Sequence, residues 1–187
     1  VGEGNLEKAE FFLRKSLEIN PKDVNALVNL ACVLKDLGNP EQAEIFLRNA
    51  LEINPSYDFA LTNLGAVLNE LKKFDEGEQC LRKALSINSS SPMALNNLGN
   101  ILSNIKKNNE AELCYRKAIE IKSDFSLAYN NLGSLLSKKG NLIEAEKFTE
   151  KAINFNPKFE LAYVNLGSIK IDLDKLIEAE KLFLSAI

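Results

Sequence analysis

The chain has 187 residues, 45% of them hydrophobic and 26% charged, the balance of a folded chain rather than a disordered one. A formal charge of −3, with 23 basic and 26 acidic residues mixed along the sequence, offers no basic face to nucleic acid. No apolar run approaches the roughly 18–20 residues that span a bilayer, so no membrane segment is expected. The absence of histidine removes the commonest general base and the commonest transition-metal ligand together.

Read from the start, Gly4-Asn5 and the run from Leu6 to Asn20 form one amphipathic helical pattern. From Val24 onward the sequence repeats with a period of 34 residues, most visibly as Asn29-Leu30-Ala31, Asn63-Leu64-Gly65, Asn97-Leu98-Gly99, Asn131-Leu132-Gly133 and Asn165-Leu166-Gly167. In the unit Val24 to Tyr57, Leu27, Leu30, Ala31 and Leu34 have the i, i+3, i+4, i+7 spacing of a helix buried along one stripe. Gly38-Asn39-Pro40 then ends one helix and starts the next. The second helix carries Ala43, Phe46, Leu47, Ala50 and Leu51 and stops at Asn54-Pro55; a turn this short folds the two helices into an antiparallel hairpin.

The same layout predicts first (A) helices near 24–37, 58–71, 92–105, 126–139 and 160–173. Second (B) helices are expected to start near Pro40, Phe74, Asn109, Leu142 and Leu176. A single array over 1–187 follows: a partial repeat with helix B only at 1–23, full repeats at 24–57, 58–91, 92–125 and 126–159, and a near-complete one at 160–187. Small residues at one phase, Ala31, Gly65, Gly99, Gly133 and Gly167, mark close interhelix approach, since glycine inside a helix costs roughly 1 kcal/mol relative to alanine.

These residues at these offsets resemble the tetratricopeptide repeat over essentially the whole chain. The resemblance implies an all-α, right-handed α-solenoid of antiparallel helix hairpins. Lys72, Lys106 and Asp174 replace the inter-helix glycine, and Ser89 and Ser123 the terminal proline. A positive φ at a non-glycine residue costs on the order of 1 kcal/mol, so looser turns are expected in the middle repeats.

Numbering each A helix from Val24, Asp58, Pro92, Ser126 and Glu160, positions 4, 7, 8 and 11 are the packing face. Positions 2, 5, 6, 9, 12 and 13 are by elimination available to a ligand, and in proteins of this resemblance they line the concave inner surface. Position 6 is Asn29, Asn63, Asn97, Asn131 and Asn165. A carboxamide both donates and accepts, so such a row can pair with the N–H and C=O of an extended peptide. It is similar to the asparagine ladder of O-linked N-acetylglucosamine transferases and kinesin light chains. Position 2 contributes Phe59 and Met93, position 5 Asn96 and Asn130, and position 9 Asn100. None of the residues at positions 2, 5 and 9 is charged, which disfavours a clamp for a terminal carboxylate.

The expected function is therefore a protein–protein interaction scaffold for extended, largely uncharged peptides, with no catalytic residue, metal or cofactor. One alternative is the substrate-recruiting arm of a larger enzyme such as a glycosyltransferase. Another is a self-stacking assembly scaffold, joined end to end through apolar faces around Leu6, Phe12 and Leu13 and around Leu182 and Phe183. Cys32, Cys80 and Cys114 read as free thiols in a reducing compartment, which suits a cytoplasmic location.

Overall fold

The computed structural model describes residues 3–186, which form eleven helices and no strand. They are α1 (Glu3–Ile19), α2 (Val24–Asp36), α3 (Pro40–Ile53), α4 (Asp58–Glu70), α5 (Phe74–Ile87), α6 (Pro92–Asn104), α7 (Asn108–Ile121), α8 (Ser126–Lys138), α9 (Leu142–Phe155), α10 (Glu160–Asp172) and α11 (Leu176–Ser185). The fold is all-α, of the solenoid type. The chain divides into two compact units, Val1–Ser90 and Ser91–Ile187. The first holds α1 and two hairpins, α2/α3 and α4/α5; the second holds three hairpins, α6/α7, α8/α9 and α10/α11.

Within each hairpin the A helix buries positions 7, 8 and 11, and position 4 as well in all but α10, where Tyr163 is partly exposed. In α2 the four are Leu27, Leu30, Ala31 and Leu34; in α8 they are Tyr129, Leu132, Gly133 and Leu136. Position 8 is small because a B-helix side chain lies directly over it. A Cβ added to Gly99 would come within 2.5 Å of Tyr115 Cε1, and one on Gly167 within 2.7 Å of Phe183 Cε1. At Gly133 the opposing group is Thr149, whose buried hydroxyl is satisfied by donating to Ala145 O at 2.9 Å.

All five turns inside the hairpins have one geometry, whatever their residue. Gly38 (φ 77°), Lys72 (φ 59°), Lys106 (φ 63°), Gly140 (φ 80°) and Asp174 (φ 59°) are left-handed. In each, the next residue's N–H closes back onto a carbonyl five residues earlier: Asn39 to Leu34 O at 2.8 Å, Lys73 to Leu68 O at 2.8 Å and Lys107 to Leu102 O at 2.8 Å. This is the Schellman closure. The turns at Lys72 and Lys106 thus share the geometry of the glycine turns.

Between repeats, Asn20, Asn54, Asn88 and Asn156 each accept from the N–H two residues on, at 3.2–3.3 Å, holding the chain before the next A helix. Asp23 and Ser91 then cap α2 and α6 with their side-chain oxygens. Asn39 sits at the N-cap of α3 but makes no side-chain cap bond.

Ion pairs join the B helices. Arg48 bridges Glu44 (2.8 Å) on its own helix to Glu76 (2.7 Å) on α5, and Arg116 bridges Glu112 (3.0 Å) to Glu144 (2.8 Å) on α9. Lysines from the turns add to the same carboxylates, Lys73 to Glu44 and Lys139 to Glu112. The Lys139 hydrogen bond, opposed by partial burial and aided by Arg116, holds the Glu112 carboxyl below its usual range.

Candidate functional site

The ligand-facing surface read from the sequence is only partly open. Position 5 is buried in four of the five A helices: Val28 is 0% exposed, Thr62 5%, Asn96 3% and Asn130 1%. Asn96 and Asn130, expected to meet a peptide, are therefore corrected to seam residues. Within each unit successive A helices lie side by side, and Val28, Asn96 and Asn130 lie along that seam rather than outward. Val164 is half exposed on α10, the last A helix.

Position 6 stays at the surface but does not stand free in every repeat. Asn63 donates to Phe59 O on its own helix at 2.8 Å and accepts from the Cys32 thiol of α2 at 3.4 Å. Asn131 donates to Asn96 Oδ1 and Asn100 Oδ1 of α6, both at 3.0 Å. Asn165 donates to Asn130 Oδ1 of α8 at 2.9 Å. Asn100 also accepts from the buried Tyr115 hydroxyl at 2.8 Å, and desolvation pushes the pKa of that phenol up. Asn29 is exposed, and within their own units neither Asn29 nor Asn97 makes a side-chain hydrogen bond. Three of the five amides, Asn63, Asn131 and Asn165, are thus engaged by neighbouring groups.

Beside this row, position 2 exposes an apolar side chain on each of the last four A helices: Phe59 47%, Met93 44%, Leu127 38% and Leu161 54%. Tyr57 stacks at 6.1 Å on Phe59 and donates its hydroxyl to Asn25 at 2.9 Å, linking position 2 of α2 to the start of α4. Leu127 and Leu161 occupy the same repeat position as Phe59 and Met93.

No group of three or more histidine, cysteine, aspartate or glutamate residues among the described residues is arranged to hold a metal. None of their helices is long and apolar enough to cross a membrane. The three cysteines are free thiols, and burial pushes the pKa of Cys32 and Cys80 up, away from the reactive thiolate. On α11 the exposed apolar side chains are Leu176, Ile177 and Leu184. Leu182 is only partly exposed, and Phe183 is turned in against Gly167.

Lys170 was not singled out in the sequence. It occupies position 11, where the other A helices have Leu34, Leu68, Leu102 and Leu136. It is buried and paired with Glu146, Glu178 and, at 3.7 Å, Glu150. Desolvation pulls its pKa down, but the hydrogen bonds to Glu146 and Glu178 outweigh it and push the pKa above the usual lysine value. Glu150 stands where earlier B helices carry Arg48, Arg82 and Arg116, so charge has been exchanged between the two positions. The signal in the sequence was this paired departure, a lysine in the leucine column and a glutamate in the arginine column.

Among solved structures, PilF of Pseudomonas aeruginosa superposes with a TM-score of 0.76 at 23% identity, over 97% of this chain and 82% of that one. YrrB, described as a tetratricopeptide protein with an unusual peptide-binding site, gives 0.61 at 23% identity, over 94% and 90%. IFIT1, solved with Gppp-AAAA, gives 0.88 at 19% identity; it covers 100% of this chain, which spans 46% of IFIT1. At these identities the likeness is one of fold. No curated protein matches the sequence. Three tetratricopeptide repeat models match residues 1–66, 58–124 and 114–147, which together run unbroken from 1 to 147. With the 34-residue period and the helix hairpins, they establish that the chain belongs to the tetratricopeptide repeat family of protein–protein interaction scaffolds.

Proposed function

We propose that this scaffold binds extended, largely uncharged peptide segments along the A-helix face, without catalysis of its own. Asn29, Asn63, Asn97, Asn131 and Asn165 form the polar row and Asn100 extends it, while Phe59 and Met93 take side chains of the peptide. The observation that carries the reading is the pairing of an exposed apolar residue at position 2 with an amide one turn later, four times over: Phe59 with Asn63, Met93 with Asn97, Leu127 with Asn131, and Leu161 with Asn165. Exposed phenylalanine, methionine and leucine in register are costly to leave in water, at about 25 cal/mol per Å².

Each neutral hydrogen bond contributes about 0.5–1.5 kcal/mol net, so affinity grows with the number of repeats engaged. Action of the two units as one continuous array belongs to the proposal, as does a cytoplasmic setting, which the free thiols support. Replacing Asn63, Asn97 and Asn131 together by alanine is expected to weaken peptide capture at least tenfold while leaving far-UV circular dichroism unchanged. Undiminished capture by the triple variant would remove the amide row from the reading. A second reading, self-association, is favoured by the exposure of Phe11 and Phe12 on α1 and of Ile177 and Leu184 on α11. Light scattering that shows a strict monomer at high concentration would reject it.

A further inference from the structure

Resting on the peptide-binding reading above, we infer that Asn96 and Asn130 set the orientation of the ladder amides in residues 91–187. They turn that stretch into a row of hydrogen-bond acceptors that takes an extended, uncharged peptide through its backbone N–H groups.

The argument starts from hydrogen counting. A carboxamide has two N–H hydrogens and one carbonyl oxygen. Asn131 spends both hydrogens on its neighbours, one on Asn96 Oδ1 and one on Asn100 Oδ1. Asn165 spends one on Asn130 Oδ1. No donor reaches Asn131 Oδ1 or Asn165 Oδ1 within the unit, and among the described residues no buried side-chain oxygen or nitrogen lacks a partner. Both oxygens are therefore at the surface, open to a donor from outside.

Residues 1–90 provide the contrast. On α2, the A helix before Asn63, position 5 is Val28, which cannot accept, and the ladder amide that follows adopts a different arrangement. Asn63 turns its N–H group to Phe59 O on its own helix, and its oxygen is taken by the Cys32 thiol. Whether position 5 holds an acceptor therefore decides which end of the position 6 amide faces out. The paired N–H and C=O contact expected from an isolated asparagine is closed to Asn131, which has no hydrogen left to give.

The occupant follows from the rest of the face. Positions 2, 6 and 9 of α6, α8 and α10 are Met93, Leu127, Leu161, Asn97, Asn131, Asn165, and Asn100, Ser134, Ser168, with no formal charge among them. A neutral acceptor row has nothing to neutralise an anion or a cation. Its complement is a neutral donor that recurs along a chain whatever its sequence, and the backbone N–H is that donor.

The experiment uses the whole chain and two synthetic probes. One is the capped dodecapeptide acetyl-(Leu-Ser-Ser)4-amide; the other is its counterpart with ester oxygen in place of the leucine N–H groups. Binding is followed by nuclear magnetic resonance titration, including the asparagine side-chain NH₂ signals. The amide peptide is expected to bind about tenfold more tightly than the ester, the effect of losing one to two neutral hydrogen bonds. In Asn96→Val with Asn130→Val, which copies Val28, the NH₂ signals of Asn131 and Asn165 should shift and the preference for amide should fall toward unity; circular dichroism verifies that the variant is folded. Equal binding of the two probes to the parent protein, or an undiminished preference in a folded double valine variant, overturns the inference alone. Unaltered binding of both probes to Asn97→Ala/Asn131→Ala/Asn165→Ala overturns the proposed function itself. Failure of the parent protein to bind either probe overturns both.

Discussion

At the scale of single residues, the turns show how local strain is accepted where the array needs a left-handed link. Lys72, Lys106 and Asp174 adopt the same φ as Gly38 and Gly140 and make the same closing hydrogen bonds, so the surrounding hairpin imposes the conformation. An L-residue there pays a steric cost between its Cβ and its own backbone that glycine does not. Lys106→Gly is therefore expected to raise stability by about 0.5–1 kcal/mol, read as a higher urea midpoint with an unchanged slope. A lower midpoint would mean that the lysine side chain contributes more than the strain costs. The positive-φ turns were legible from the repeat offsets alone. Their regularity was not, because it depends on carbonyls of the preceding helix being held in place.

At the scale of elements, the hairpin is a small residue on helix A beneath a large one on helix B. Leu81 over Gly65, Tyr115 over Gly99 and Phe183 over Gly167 all obey that relation, and the glycines predicted it. The last hairpin departs from its predecessors in charge rather than shape. Lys170 reaches from α10 to Glu146 on α9 and Glu178 on α11, the two carboxylates that an arginine at 150 would have joined by the geometry of Arg48 and Arg116. Lys170→Leu should lose about 2 kcal/mol, because removing one partner leaves a shielded carboxylate short of a cation. Adding Glu150→Arg should recover most of that loss by restoring the arrangement of the earlier repeats. Equal stability of the single and double variants in chemical denaturation would show the two positions to be uncoupled.

At the scale of the whole molecule, the ion pairs along the B helices make stability depend on acid. Glu112 is held below its ordinary 4.5 by Lys139 and Arg116. Glu44 and Glu146 are likewise lowered, against desolvation, by Lys73 with Arg48 and by Lys170 with Lys175. A carboxyl lowered on folding stabilises the fold above its unfolded value and loses that contribution as pH falls through the folded one. Lys170 is raised, so its contribution is complete below 10.5 and is lost progressively as pH rises from there through its higher folded value. Desolvation raises Glu70, a single effect of opposite sign. The thermal midpoint is expected to be nearly level from about pH 6 to 9 and to fall below about pH 4.5. A midpoint that rises on acidification would contradict these pairings.

Periodicity alone determined the helix positions, the hairpin turns, the buried stripe at positions 4, 7, 8 and 11 and the close approach at position 8. Each of these is set by a helix advancing 100° per residue and by residues adjacent in the chain. Only the tertiary structure decided that position 5 is buried and position 6 partly committed. That outcome depends on how one hairpin lies against the next, which brings Asn131 to Asn96 and Asn165 to Asn130 across 35 residues. A helical wheel drawn for one helix has no second helix in it. It therefore separates core from surface correctly but does not distinguish open surface from a seam between like helices.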